Sequence, residues 1–290
     1  MPHKNLEIIN RIDETRKFVG EYKRNGALGL VPTMGYLHEG HISLIKKSVE
    51  ECRHTAVSIF VNPMQFASTE DLAAYPKDEE GDLRKCRDAG VDMVFMPEVG
   101  EMYPEGSTVY VDEDVIRRQL CGRDRPGHFR GVLTVVAKLF NIIQPDVAYF
   151  GAKDFQQAVL IKRMVRDLDF LLEIKVLPTY READGLAMSS RNKYLTADER
   201  KQAVALNESL KLAEAVFEDG EKDVGKIRNA VYSQVSEAPL GEIVYIEILD
   251  AYDLSPIERI NRPAVVAMAV RFGRARLIDN TVLGDFLWEN

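Results

Sequence analysis

The stretch Val31–Ser48, VPTMGYLHEGHISLIKKS, constrains this chain most. The apolar run Ala27–Val31 ends at Pro32 and reads as a buried strand leaving a sheet. Gly35 and Gly40 flank a tight connection. From His41 onward the apolar residues fall at Ile42, Ile45, Val49 and Cys52, with Lys46 and Lys47 on the other face, which is helical spacing. His38 and His41 therefore stand three apart where a strand hands over to a helix. A helix start offers unpaired backbone N–H groups and the positive end of the macrodipole, which suits a phosphate. Gly40 leaves no side chain between that backbone and a ligand. The same pair also reads as a satisfied surface pair or as two metal ligands. No third ligand of suitable spacing is nearby, and the cysteines are remote.

The first 180 residues continue in alternation. Thr55–Val61 is a strand ending in Asn62-Pro63, Glu79–Ala89 a charged helix and Val91–Met96 a strand. Val132–Ile143 is apolar nearly all round, as a helix buried against a sheet would be. Val147–Phe150 is a strand, Phe155–Leu168 a helix and Ile174–Leu177 a strand stopped by Pro178. Such alternation predicts a parallel sheet covered on both faces, with ligands beyond the carboxyl ends of its strands. The last hundred residues change character. Thr196–Glu199 reads as a capping box opening a long helix whose buried face is Ala203, Leu206, Leu210 and Ala213. A helix near Val224–Val235 follows. Then come strands at Ile243–Leu249, Ala264–Phe272 and Arg276–Ile278 without crossover helices. The expectation is an α/β chain: a parallel-sheet domain over residues 1–185 and a smaller α+β domain over 186–290, hinged near Gly185.

With 290 residues the chain can bury a sizeable core. A net charge of −8 disfavours a nucleic-acid partner, and an anionic substrate must be met by local groups. Cys52, Cys86 and Cys121 are scattered, with no C-x-x-C, and read as buried inert thiols in a reducing compartment. MPHKNLEIINRIDE has no apolar h-region, and the longest apolar runs are far short of a membrane span. A cytoplasmic location with no membrane contact is expected.

The glycine-based nucleotide signatures G-x-x-x-x-G-K-[ST] and G-x-G-x-x-G are missing. Four other stretches fall where a parallel sheet would gather them: Asn62–Phe66, Arg125–Phe129, Gly151–Gln157 and Met188–Asn192. Taken singly, Gln65 and Gln157 read as surface amides, and Lys153 and Arg191 as solvated charges. Their joint placement at one sheet edge favours a binding site.

VPTMGYLHEGH, FVNPMQF, RPGHFRGV, FGAKDFQQ and AMSSRN, in this order and spacing, resemble the pantoate–β-alanine ligase family. The likeness runs from about Leu28 to Leu195. His-x-Gly-His alone marks a broad superfamily of nucleotidylyltransferases and class I aminoacyl-tRNA synthetases; FVNPMQF with MSSRN is far more specific. The resemblance implies a Rossmann-type domain with a C-terminal lid, a homodimer, and ATP and Mg²⁺ as substrate and cofactor. Pantoate would be activated to a pantoyl adenylate, with pyrophosphate released, and β-alanine would then displace AMP. It implies nucleotide contacts at Met34, Gly35, Tyr36, Leu37, His38, Glu39, Gly40 and His41. Further nucleotide contacts are implied at Gly151, Ala152, Lys153, Asp154, Tyr180 (through its backbone), Met188, Ser189, Ser190 and Arg191. Gln65 and Gln157 would hold pantoate, Gln65 would also lie beside β-alanine, and His41 would be the catalytic acid.

The chemistry fits these roles. When a carboxylate attacks the α-phosphorus, charge builds on the α-phosphate and the departing pyrophosphate, and the protein must align and neutralise. His38, His41, Lys153, Ser189, Ser190 and Arg191 are donors of the right kind. Two neutral amides orient pantoate without damping its carboxylate as an arginine fork would. Pro32, Met34 and Phe66 offer an apolar wall for its gem-dimethyl group. The helix start disfavours an imidazolium at His41 while a bound triphosphate favours one. In the acidic run Asp78, Glu79, Glu80, Asp82, Gly81 stands where the family would place a magnesium-associated carboxylate, so the metal ligands stay unknown. That run reads as a solvated helix start. Because Met188–Arg191 opens the second domain while its partners lie in the first, the site is expected to close on ATP. A nucleotidylyltransferase that stops at adenylation and a non-catalytic nucleotide sensor are the competing readings.

Overall fold

The structure, a computed structural model, describes residues 6–66, 72 and 75–288. Residues 1–5 of the N-terminal stretch read above lie outside the described residues. Six parallel strands form the larger sheet: β1 (Glu7–Ile9), β2 (Leu28–Thr33), β3 (His54–Ile59), β4 (Met93–Phe95), β5 (Val147–Gly151) and β6 (Glu173–Leu177). Their spatial order is β1-β4-β3-β2-β5-β6. The chain thus winds outward from β2 through β3 to β4, then returns to place β5 on the other side of β2. The order in which strands are added reverses between β2 and β5, and that junction is where an open parallel sheet leaves a crevice.

Helices α1 (Ile12–Tyr22), α2 (Glu39–Glu51), α3 (Glu79–Ala89), α4 (Val99–Met102), α5 (Leu120–Asp124), α6 (His128–Ile143) and α7 (Phe155–Asp167) cover this sheet. The two-residue period of the strands sorts the core. Leu28 and Leu30 of β2 join α6 and α7 in one cluster, while Val31 joins Ile42 and Ile45 of α2 and Cys86 of α3 in another. The near-continuous apolar surface of α6 is accounted for by its burial along most of its length. All three cysteines are free and buried, and burial pushes the Cys86 thiol up to about 12. Val49, placed by its spacing on the inner face of α2, is instead 37% exposed. Strand β1 carries no clear sequence signal and adds a short edge beside β4.

Beyond Pro178 follow α8 (Ala197–Ala203), α9 (Ala205–Glu218), α10 (Val224–Ser236), β7 (Gly241–Asp250), β8 (Ala264–Phe272) and β9 (Ala275–Leu283). The capping box is present: Glu199 N–H donates to Thr196 Oγ1 and Thr196 N–H to Glu199. The expected long helix breaks at Val204, yet Ala203, Leu206, Leu210 and Ala213 are all buried. The third strand is longer than its sequence signal, reaching Leu283.

β7, β8 and β9 make an antiparallel sheet buried on both faces. Val266, Met268 and Val270 of β8 pack with α9 and α10, whereas Val265, Ala267 and Ala269 belong to the core of the first sheet. The parity of β9 agrees: Ile278 and Val282 pack against the first core, with Arg276 and Asn280 on the same face of the strand. Among the described residues no helix is long and apolar enough to cross a membrane.

Candidate active site

The crevice opens where β2 and β5 part. These strands pair only at Gly29 and Leu30, so beyond Leu30 the chains diverge. Pro32, which lacks an N–H, stands in the diverging portion, still in register with Ser58 of β3. Two turns face each other across the gap, one after each strand.

The first turn carries the histidines. Gly35 takes φ +81°, a conformation that a side chain resists, and Tyr36 follows at φ +52°. Helix α3 holds this turn. Asp82 accepts from the N–H of Tyr36 (2.7 Å) and of Leu37 (2.7 Å), and Lys85 Nζ donates to Leu37 O (2.6 Å). Asp82 is buried, so the acidic run is not wholly the solvated helix start that its composition suggested. Asp78 does cap the helix, accepting from Gly81 N–H (3.1 Å). A Cβ at residue 81 would collide with the Asp78 carboxylate. Burial pushes the Asp82 carboxyl above its ordinary value, against the two backbone donors that stabilise its anion.

His38 is the N-cap of α2, and its N–H donates to His41 Nδ1 (3.3 Å). His41 thus does at N3 what Glu does in an ordinary capping box. With Nδ1 accepting, a neutral His41 carries its proton on Nε2. The two rings lie 4.0 Å apart, and His38 Nδ1 is buried with no hydrogen-bond partner. A Cβ at Gly40 would come within 3.1 Å of the His38 ring, so glycine keeps that ring in place. Burial, aided by the His38 ring, Lys153 and Lys85, holds His41 down at about 3. Burial and Lys153 likewise hold His38 at about 4. Both are neutral donors near pH 7.

These shifts have a consequence for stability. Each imidazole is depressed below its ordinary 6.5, so between about pH 4 and 6.5 the unfolded chain binds more protons than the folded one. Stability is then highest above 6.5 and falls as the pH drops toward the folded values. From pH 7 to pH 5 the pair should cost about 2–3 kcal/mol, allowing for partial solvent screening. Urea unfolding at both pH values checks this, with a His38→Gln, His41→Gln double variant losing that much less than the parent.

The second turn, Ala152–Asp154, joins β5 to α7 and carries Lys153, whose side chain is 17% exposed. The adjacent glutamines divide their work. Gln156 is consumed internally, accepting from Cys121 N–H and donating to Ile116 O and Gln119 O. Gln157 lines the cleft.

Gln65 sits on the short turn after β3, fixed by Asn62, which donates to Gln65 Oε1 (3.0 Å) and to Gly131 O (3.0 Å). Gln65 Nε2 reaches Met34 Sδ (3.0 Å). His128 Nδ1 donates to Gln65 O (2.7 Å), and Arg125 donates to His128 Nε2 (3.0 Å). The RPGH segment, to which no role was attached, thus braces the Gln65 backbone. The roof comes from the Tyr180–Met188 hairpin and the turn after it. Met188 N–H donates to Tyr180 O (2.9 Å), Ser189 Oγ accepts from Arg191 N–H (3.2 Å), and Tyr75 bonds Ser190. Lys193 lies 4.1 Å from the centre of the Tyr36 ring, tying this turn to the histidine turn.

A cavity of about 250 Å³ brings together Pro32, Met34, His38, Gly40, His41, Gln65, Phe66, Gly151, Lys153, Asp154, Gln157, Tyr180, Met188, Ser189, Ser190 and Arg191. It shares Lys153, Gln157 and Ser189–Arg191 with a second cavity of about 800 Å³ that extends toward β8 and β9. Gly35, Tyr36, Leu37, Glu39 and Ala152 do not line either cavity. Leu37 is buried in the α2 core and Glu39 is exposed. Asp82, Asn62 and His128 are the supporting residues that motif reading passed over.

The arrangement is a cationic, donor-rich pocket with neutral amides at one end, suited to aligning a polyphosphate against a small acid. The family model described as pantoate–β-alanine ligase matches residues 7–282. Pantothenate synthetase of Pelotomaculum thermopropionicum is 51% identical over 279 residues, covering 96% of this chain and 99% of the relative. That of Thermotoga neapolitana is 51% identical over 280 residues, covering 96% and 100%. The crystal structure of pantothenate synthetase from Thermus thermophilus superposes with a TM-score of 0.90 at 41% identity, covering 95% and 98%. The Francisella tularensis pantoate–β-alanine ligase, solved with a β,γ-ATP ligand and β-alanine, gives 0.79 at 34% identity, covering 96% and 98%. With the motifs gathered at one crevice and the likeness running almost end to end, this chain belongs to the pantoate–β-alanine ligase family.

Proposed function

We propose that the crevice joins pantoate to β-alanine at the expense of ATP, giving pantothenate, AMP and pyrophosphate. The near full-length match to the ligase family carries this reading. In the first step a pantoate carboxylate oxygen bonds to the α-phosphorus and the bond to the β-phosphate oxygen breaks. Pyrophosphate leaves with that electron pair. In the second the β-alanine amine attacks the acyl carbonyl, loses a proton, and AMP departs. Gln65 and Gln157 orient pantoate, with Pro32, Met34 and Phe66 as the apolar wall, and Gln65 also borders β-alanine. His38, His41, Lys153, Ser189, Ser190 and Arg191 neutralise the charge that develops on the phosphates.

Mg²⁺ is part of this proposal. Among the described residues no cluster of three or more His, Cys, Asp or Glu could hold a metal. Asp154 is the carboxylate lining the cleft, while both Asp82 oxygens are taken by backbone N–H groups. One carboxylate plus substrate phosphates is the usual complement for Mg²⁺, so Asp154 would hold it and the ion would offset triphosphate charge.

Pyrophosphate exchange into ATP tests the reading. Exchange should require pantoate and not β-alanine, and AMP release should require both. Exchange that ignores pantoate would favour nucleotidyl transfer, and no exchange would favour a sensor.

A homodimer belongs to the same proposal. The irregular segment 107–115 leaves Val109 86% exposed, with Tyr110 and Val115 also open, an apolar strip that suits a second copy. Val109→Asp should convert the dimer to monomer at micromolar concentration, read by light scattering after size exclusion.

A further inference from the structure

The turn that carries Lys153 is three residues long and has no capping side chain. Its carbonyls are met from the other end of the chain. Asn280 of β9 is buried, and its Nδ2 donates to Ala152 O (3.0 Å) and to Lys153 O (2.9 Å). Both amide protons are thereby spent on one turn of the first sheet. Asn280 is itself held, since its N–H donates to Asp279 Oδ1 (2.8 Å). Asp279 has a fully buried side chain and receives a two-pronged grip from Arg181 at 2.7 and 3.0 Å. Arg181 also donates to Gly185 O (3.1 Å) inside the hairpin that leads to Ser189–Arg191. One dipeptide thus anchors two walls of the cleft that are remote from each other in sequence.

We infer that Asn280, seated by Asp279 and Arg181, is a positioning residue that sets where Lys153 meets the departing phosphates. This rests on the role given to Lys153 under the proposed function. Asn280 borders the larger cavity but not the smaller one that holds the histidines, and both of its amide protons are already given to the turn. It acts through the turn, and the turn through its lysine. A displacement of about 1 Å at an aligned donor is enough to cost on the order of 10²-fold in rate.

The test is a double-variant cycle in pantoate-dependent pyrophosphate exchange. Asn280→Ala should lower kcat by about 10–10²-fold with the KM for ATP changed less than about threefold. Lys153→Ala should lower kcat, and adding N280A to K153A should cost little more, because the residue acted upon is gone. If N280A does not fold, as judged by its melting transition, Asn280→Ser retains one donor and enters the same cycle. Equal losses from the asparagine change with and without Lys153 overturn the inference, as does an N280A kcat equal to the parent's beside an impaired K153A. A fully active K153A overturns the role of Lys153 and this positioning with it.

Discussion

Alanine at His41 should lower pantoate-dependent pyrophosphate exchange by about 10²–10³-fold, the usual loss when one preorganised donor to developing charge is removed. The expectation follows from how the ring is held. Its Nδ1 is occupied by the His38 N–H, so a neutral ring has one orientation and directs its Nε2–H elsewhere. Held at about 3 by burial, it donates without bringing a charge that must be desolvated. His41→Asn keeps an amide donor and should recover part of the loss. An H41A rate within about threefold of the parent would remove His41 from the chemistry. A triphosphate brought against the ring should raise its pKa. An NMR titration giving the same value with and without nucleotide would show that the phosphates do not reach it.

Asp82→Ala should be the most destabilising single change near the cleft. It strands the N–H groups of Tyr36 and Leu37, at about 1–3 kcal/mol each, for about 2–6 kcal/mol in all. It also frees a turn whose Tyr36 sits at φ +52°, a conformation that a non-glycine residue keeps only while its surroundings impose it. The histidines follow directly, so exchange should fall by about 10²-fold even where the variant stays folded. Urea unfolding gives the first quantity and the exchange assay the second. Asp82→Asn retains one acceptor oxygen and should lose roughly half as much stability. An unchanged midpoint in D82A would mean that the two N–H groups find other partners.

Motif chemistry was readable because it is local. The histidine pair, Gly40 and the two glutamines sit at strand ends that alternating periodicity already marks, and the structure collects them at one crevice. The supporting residues were harder because their partners are distant. Asp82 looked like part of a solvated acidic start. Yet it stands four before Cys86 on the buried face of α3, and that spacing was the available signal. Asn62 ties Gln65 to Gly131, 69 residues further on, and His128 braces Gln65 from 63 residues away. Asn280 meets a turn 127 and 128 positions earlier, and only the alternation Ile278, Asn280, Val282 hints that it faces inward. The break of the long helix at Val204 left its buried face intact, so periodicity survived where length did not.

Because β8 is covered on both sides, one side by its own helices and the other by the larger sheet, there is no clean plane along which to split this molecule. A fragment ending at Gly185 would present Phe155, Val159 and their neighbours to water, and the remainder would present Val265, Ala267 and Ala269. Truncation, limited proteolysis between the halves or exchange of one half with a cousin's should therefore yield sticky, insoluble pieces. The two halves are best redesigned as one unit.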